Sequence, residues 1–108
     1  MLQLEVTVEQ FNEQMRNGSA PALLDVREAH EVAICRLEGA LHIPMRELAS
    51  RMDELPDPES PLIVYCHHGI RSMSVVNWLR EAGWAGAVSL RGGIDLWAAK
   101  YDPKMSRY

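Results

Sequence analysis

The sequence predicts an α/β fold, a parallel sheet of about five strands with helices on both faces. Two observations predict it. Ala22 to Val26, Leu62 to Tyr65 and Ala87 to Leu90 are apolar runs too short for helices and nearly unbroken, as strands covered on both sides are. Between and beyond them, apolar residues recur at helical spacing: Val8, Phe11 and Met15, then Val75, Val76, Leu79 and Ala82, then Ile94, Trp97, Ala98 and Tyr101. No repeat, low-complexity stretch or interdomain linker intervenes, so residues 1–108 read as a single domain whose core covers about residues 4–101.

Taken in order, Leu2, Leu4 and Val6 alternate with polar residues and predict a short, half-exposed opening strand. Thr7 and Gln10 have the spacing of a capping box, and Asn17-Gly18 closes the helix they start. Ala22 to Val26 is the second strand, Glu28 to Ile34 a short helix, and Ala40 to Ile43 the third strand, closed by Pro44. Met45, Leu48, Met52 and Leu55 fall on one helical stripe. The run Pro56-Asp57-Pro58-Glu59-Ser60-Pro61 is a polar surface loop. Leu62 to Tyr65 then feeds a loop and a helix that ends at Gly83. Ala87 to Leu90 is the fifth strand, and the last helix begins near Gly92-Gly93. Asp102 to Tyr108 shows no period and is expected to be a loose tail.

Composition narrows the function classes. The 108 residues are 47% hydrophobic, with eleven basic and fifteen acidic side chains interspersed for a net charge of −4. No basic stripe argues for nucleic acid, and no apolar run approaches membrane-spanning length. The N-terminal residues lack a charged segment followed by an apolar one, so no signal peptide is expected. Two cysteines, one in a reactive setting, suit a reducing compartment better than a disulfide scaffold, and the expected location is cytoplasmic.

The reactive setting is Cys66-His67-His68-Gly69-Ile70-Arg71-Ser72. A strand delivers Cys66 into a tight loop just before a helix. The backbone N–H groups there have no preceding carbonyl to bond, and the helix dipole adds partial positive charge. Both favour an anionic sulfur. Arg71 adds a permanent cation if its side chain turns toward the sulfur.

The loop resembles the active-site loop of rhodanese-like sulfurtransferases, Cys-x-x-Gly-x-Arg-Ser. Three other stretches agree with that family in order and spacing: Asp25-Val26-Arg27 with Glu31 beyond it, Glu38-Gly39-Ala40 through Ile43-Pro44, and Gly92-Gly93 with Trp97. The resemblance implies sulfur transfer through a persulfide on Cys66. The sulfur would come from thiosulfate or a persulfide and go to a thiol, cyanide or a protein acceptor. It also implies a donor cradle made by His67, His68, Gly69, Ile70, Arg71 and Ser72. Asp25 and Arg27 are expected to support the loops as an internal ion pair or hydrogen-bonded brace, with a direct catalytic role as the alternative, and His42 to be a partly buried polar side chain. No cofactor is expected. Nor is a metal, because consecutive Cys66, His67 and His68 lack the usual ligand spacing. The two histidines either shape the mouth and attract anions or are simply solvated.

Protein phosphatases of related loop architecture place five residues between cysteine and arginine, whereas this chain places four, His67 to Ile70. The smaller ring suits one sulfur atom and is cramped for a tetrahedral oxyanion, so phosphatase or arsenate reductase chemistry ranks below sulfur transfer. A non-catalytic interaction module is the other alternative, and retention of Cys66, Gly69 and Arg71 in one loop argues against it. Cys35-Arg36-Leu37 stands where many members have Gly-His-Ile, so the chain reads Ile-Cys-Arg from residue 34. It resembles rhodanese domains attached to enzymes that thiolate sulfur-carrier proteins, which points toward a protein acceptor. Cys35 itself reads as a packing residue, with a resolving role opposite Cys66 as the alternative. Trp97 lies on a core stripe. Trp78 and Trp84 flank the turn at Gly83 and are given no role.

Overall fold

The computed structural model describes residues 3–108. Strands β1 (Glu5–Val6), β2 (Ala22–Asp25), β3 (Leu41–His42), β4 (Leu62–Tyr65) and β5 (Ala87–Leu90) form one sheet in the order β1-β5-β4-β2-β3. Every pairing is parallel, with Leu23 opposite Ile63 and Ile63 opposite Val88. Helices α1 (Val8–Arg16), α2 (Ala29–Ile34), α3 (Ile70–Glu81) and α4 (Gly93–Tyr101) connect and cover the strands.

The central strand β4 shows why its sequence is an unbroken apolar run. Successive side chains alternate between faces, and both faces are packed. Leu62, Val64 and Cys66 enter a cluster with Val75, Val76 and Leu79 of α3. Ile63 and Tyr65 enter a second cluster with Phe11 of α1 and with Ile94 and Trp97 of α4. Phe11 and Trp97 meet with ring centroids 5.0 Å apart. Each such fully buried side chain contributes about 1.5–3 kcal/mol of transfer free energy. Those two clusters fix where β4 ends, and therefore where Cys66 stands.

Local expectations met by the chain include the α1 capping box. Gln10 N–H donates to Thr7 Oγ1 at 3.0 Å, and Thr7 N–H donates to Gln10 Oε1 at 2.9 Å. Strand β5 and the start of α4 at Gly93 fall where the apolar pattern put them. Trp97 is core, at 7% exposure.

Four expectations differ. Leu2 lies outside the described residues, and the opening strand is only Glu5–Val6, with Leu4 exposed. Met15 and Tyr101, each in the last turn of its helix, are 39% and 37% exposed rather than core. Ala82, the cap that ends α3, is exposed as well. The stripe from Met45 to Leu55 is two 3-10 segments, Met45–Ser50 and Met52–Glu54. The three-residue steps from 45 to 48 and from 52 to 55 fit that tighter coil. The four-residue step between them is the break at Arg51, whose φ is −127°. Finally, residues 102–108 do not hang loose. Met105 packs against the α1/α4 cluster, Arg107 donates to Asp95 at 3.0 Å, and Tyr108 reaches Arg27 and Glu31. Such a segment docks through single side chains, which leave no period to read. Among the described residues no helix is long and apolar enough to cross a membrane.

Candidate active site

Cys66 sits just past the C-terminal end of the central strand, 1% exposed, where the strand ends of a parallel sheet present their loops. The chain turns at Gly69, whose φ of 104° and ψ of −6° are left-handed values that favour glycine, and α3 starts at the next residue. That turn folds the loop back over the sulfur. Gly69 N–H donates to Cys66 Sγ at 3.1 Å and Ser72 N–H donates at 3.4 Å. The thiol donates to Ser72 Oγ at 3.5 Å, and Ser72 Oγ is 2.6 Å from Ser89 Oγ of β5, both serines fully buried. The amides of Ile70 and Arg71 belong to the first turn of α3, where the helix offers no carbonyl to receive them.

Helix α4 holds the loop from the far side. Ile94 N–H donates to the Cys66 carbonyl at 3.0 Å and Asp95 N–H donates to the His67 carbonyl at 3.1 Å. The approach is so close that a Cβ on Gly93 would lie 2.3 Å from the His67 oxygen. The Gly92-Gly93 pair is thus a contact requirement of the Cys66 loop.

Two arginines flank the site, and each is tied to a carboxylate. Arg27 and Asp25 are buried at 0% and 1% exposure, with Nη2 donating to Oδ2 at 2.7 Å and Nε to Oδ1 at 3.0 Å. Arg27 Nη2 also donates to the Cys35 carbonyl at 2.7 Å, tying the end of α2 to the end of β2. Burial works against its charge, but the hydrogen bonds with Asp25 and Tyr108 outweigh that and hold its titration above the ordinary value. This pair is the internal brace expected of Asp25 and Arg27. His42 packs into the same corner, half-buried, with Nε2 2.7 Å from the Arg27 carbonyl.

The Arg71 guanidinium is turned to Glu31, so the condition under which it would lend its charge to the sulfur is not met in this arrangement. It donates through Nη1 to Glu31 Oε1 at 2.7 Å and through Nη2 to Glu31 Oε2 at 2.8 Å, with its side chain 34% exposed. Glu31 is 7% exposed. The Arg71 hydrogen bonds hold the Glu31 carboxyl well below the usual carboxylate range, and Glu31 in turn raises the titration of Arg71. Glu31 was visible in the sequence only as the acid following Asp25-Val26-Arg27. A second signal was available: Glu28 and Glu31 have capping-box spacing, and Glu28 N–H donates to Glu31 Oε1 at 3.0 Å.

The histidines separate. His68 is largely exposed, whereas His67 is sandwiched between the Tyr108 ring at 3.8 Å and the His68 ring at 3.9 Å. Burial first, and then the neighbouring His68, pushes the His67 titration down. Ile70 is 80% exposed and stands at the rim. His67, His68 and Asp95 offer one potential metal-ligand atom each within 4.8 Å of one another. Asp95 Oδ1 also receives Arg107, and Asp95 Oδ2 lies 3.5 Å from His68 Nε2. Cys35 and Cys66 are both free thiols. Cys35 is partly buried, packs beside the α1/α4 cluster and has its sulfur 3.9 Å from Arg27 Nη1, as a packing residue would.

Ser89, Asp95 and Tyr108 come to the loop from β5, from α4 and from the segment after α4. None belongs to a motif in its own stretch of sequence.

A family model described as "Rhodanese-like domain" matches residues 7–100. The chain belongs to the rhodanese-like family. It is 36% identical over 93 residues to the thiosulfate sulfurtransferase GlpE of Haemophilus influenzae, with 86% of each protein covered. It is 31% identical over 110 residues to the Rhodanese-like/PpiC domain-containing protein 12, chloroplastic, of Arabidopsis thaliana. There the match covers 96% of this chain but 37% of the Arabidopsis protein. Among solved structures it resembles the human single-domain sulfurtransferase TSTD1, with a TM-score of 0.81, 26% identity, and coverage of 92% of this chain and 98% of that one. The matched range, residues 7–100, contains the Cys66 loop.

Proposed function

We propose that this rhodanese-like chain is a thiosulfate-type sulfurtransferase with Cys66 as nucleophile and persulfide carrier. The supporting observation is the pair of amides, Gly69 and Ser72, that donate to Cys66 Sγ from the mouth of α3. In the first half-reaction the Cys66 thiolate attacks the outer sulfur of thiosulfate. The S–S bond breaks, sulfite leaves with the bonding pair, and Cys66 keeps the sulfur as a persulfide anion. In the second, an acceptor nucleophile attacks that outer sulfur and the Cys66 thiolate leaves. Cyanide would depart as thiocyanate, and a thiol as a persulfide. The first-turn amides of α3 stabilise the anionic sulfur in both halves, as backbone donors do where charge develops.

The same reading assigns His67, His68, Gly69, Ile70, Arg71 and Ser72 to the donor cradle. Asp25 and Arg27 are its brace. A small anionic sulfur donor and a thiol or sulfur-carrier protein acceptor are the proposed partners, with the reaction taking place in the cytoplasm.

Intact-mass spectrometry after incubation with thiosulfate tests the proposal. The expected result is a gain of one sulfur atom, reversed by cyanide or a dithiol and absent in Cys66→Ser. Thiosulfate turnover by Cys66→Ser at the parent rate would refute the assignment.

A further inference from the structure

The loop around Cys66 has a rim that the sulfur chemistry does not by itself account for. Tyr108 lies 77 residues from Glu31 in sequence, yet its hydroxyl donates to Glu31 Oε2 at 2.8 Å and accepts from Arg27 Nη1 at 3.0 Å. Its ring stacks on His67 at 3.8 Å with planes 10° apart. The segment that carries it is anchored twice on the way, by Met105 in the α1/α4 cluster and by Arg107 on Asp95.

We infer that Tyr108 is a positioning residue for the Cys66 loop: its hydroxyl poises the Glu31–Arg71 pair and its ring fixes His67. The inference rests on the sulfur-transfer reading for its kinetic consequence. Arg71 Nη2 and Tyr108 both donate to Glu31 Oε2, while Arg71 Nη1 and the Glu28 amide both donate to Oε1. When Arg71 turns from Glu31 toward an anionic donor, each carboxylate oxygen therefore keeps one donor. Without Tyr108, Oε2 would lose its only remaining donor at that moment, and leaving a buried acceptor bare is costly. Tyr108 thus lowers the barrier to Arg71 changing partners. The hydroxyl keeps its proton at neutral pH, because burial pushes its titration up to about 12.

The ring acts on the other wall. His67 follows Cys66 directly, and its carbonyl is already held by the Asp95 amide. Stacking by Tyr108 on one side and His68 on the other fixes the plane of the imidazole. The charged and titratable groups facing it are His68, Asp95 and Glu31, with Arg107 on Asp95 and Arg71 on Glu31.

The test compares the parent with Tyr108→Phe, which keeps the stack and loses the hydroxyl, and Tyr108→Leu, which loses both. Peptide-level mass spectrometry gives the rate of Cys66 alkylation by anionic iodoacetate relative to neutral iodoacetamide. This ratio reads how freely Arg71 serves an anion. Both variants should lower it several-fold, and both should raise the KM for thiosulfate several-fold with kcat nearly kept. His67 imidazole NMR signals should stay in place in Tyr108→Phe. In Tyr108→Leu they should shift and titrate at higher pH, since the burial that depresses them is relieved. A parent-like alkylation ratio in Tyr108→Phe would overturn the role of the hydroxyl, and parent-like His67 signals in Tyr108→Leu would overturn that of the ring. Neither readout needs turnover, so failure of the parent to use thiosulfate would sink the sulfur-transfer reading separately.

Discussion

Replacing Gly93 by alanine should damage the Cys66 loop through α4 without changing any side chain of that loop. Gly93 has φ of +62°, where a Cβ costs about 1–2 kcal/mol in backbone strain. A Cβ there would also stand 2.3 Å from the His67 oxygen, 2.5 Å from the His67 carbonyl carbon and 2.6 Å from the Cys66 oxygen. All three are backbone atoms, so no side chain can swing aside. The carbonyls must retreat, and they are the acceptors of the Ile94 and Asp95 amides. Losing those two hydrogen bonds costs about 0.5–1.5 kcal/mol each, which brings the expected destabilisation to about 2–5 kcal/mol. Gly39 supplies the control, because its φ of +81° carries the same backbone cost while nothing lies within 4 Å of its Cβ position. Gly39→Ala should therefore lose only about 1–2 kcal/mol. Urea unfolding of the three proteins measures the difference, and sulfur loading from thiosulfate reads the loop. Equal midpoints for the two variants, with loading intact in Gly93→Ala, would refute the clamp between α4 and the loop.

Cys35→Ala should keep most sulfur transfer and cost about 1 kcal/mol, since the contact that matters to Arg27 is the Cys35 carbonyl, which alanine retains. Lost turnover in that variant, together with a Cys35–Cys66 disulfide after mild oxidation, would favour a resolving role instead. Glu31 gives a pH dependence with a definite sign. Its folded carboxyl titrates below the ordinary value of 4.5, so its contribution to stability is complete above about pH 4.5 and is lost as the pH falls below that. Glu31→Gln should be less stable than the parent at neutral pH and should show a shallower loss on acidification. Parallel acid-unfolding curves for the two proteins would contradict the pairing with Arg71.

What the sequence made legible follows the range of each interaction. Strands β4 and β5 could be read as unbroken apolar runs too short for helices, helix α3 because its burial repeats at helical spacing, and the α1 cap because its two partners are three residues apart. The Asp25–Arg27 brace was readable for the same reason, its partners being two residues apart. The segment Met45–Glu54 misled because steps of three fit α and 3-10 geometry alike, and only the break at Arg51 distinguishes them. Within the site, Cys66, Gly69 and Ser72 are one loop and could be assigned together. The orientation of Arg71 could not, because its partner Glu31 lies 40 residues away on α2. Tyr108 was the hardest to see. A tyrosine in an aperiodic segment carries no local sign of the ion pair it completes.

The pairing of both arginines changes where the attraction for an anionic donor must come from. Arg27 is neutralised by Asp25 in the interior and Arg71 by Glu31 at the rim. The loop therefore presents no uncompensated guanidinium among the described residues that flank Cys66. What remains fixed is the set of backbone N–H groups: Gly69 and Ser72 on Sγ itself, with Ile70 and Arg71 in the open first turn of α3. Amides cannot titrate or rotate away, and only four residues separate Cys66 from Arg71. Thiosulfate and a phosphoryl group are both tetrahedral anions, and Arg71 can close on either only by leaving Glu31. In the proposed reaction, selectivity for a single transferred sulfur therefore rests on the small amide ring and not on Arg71.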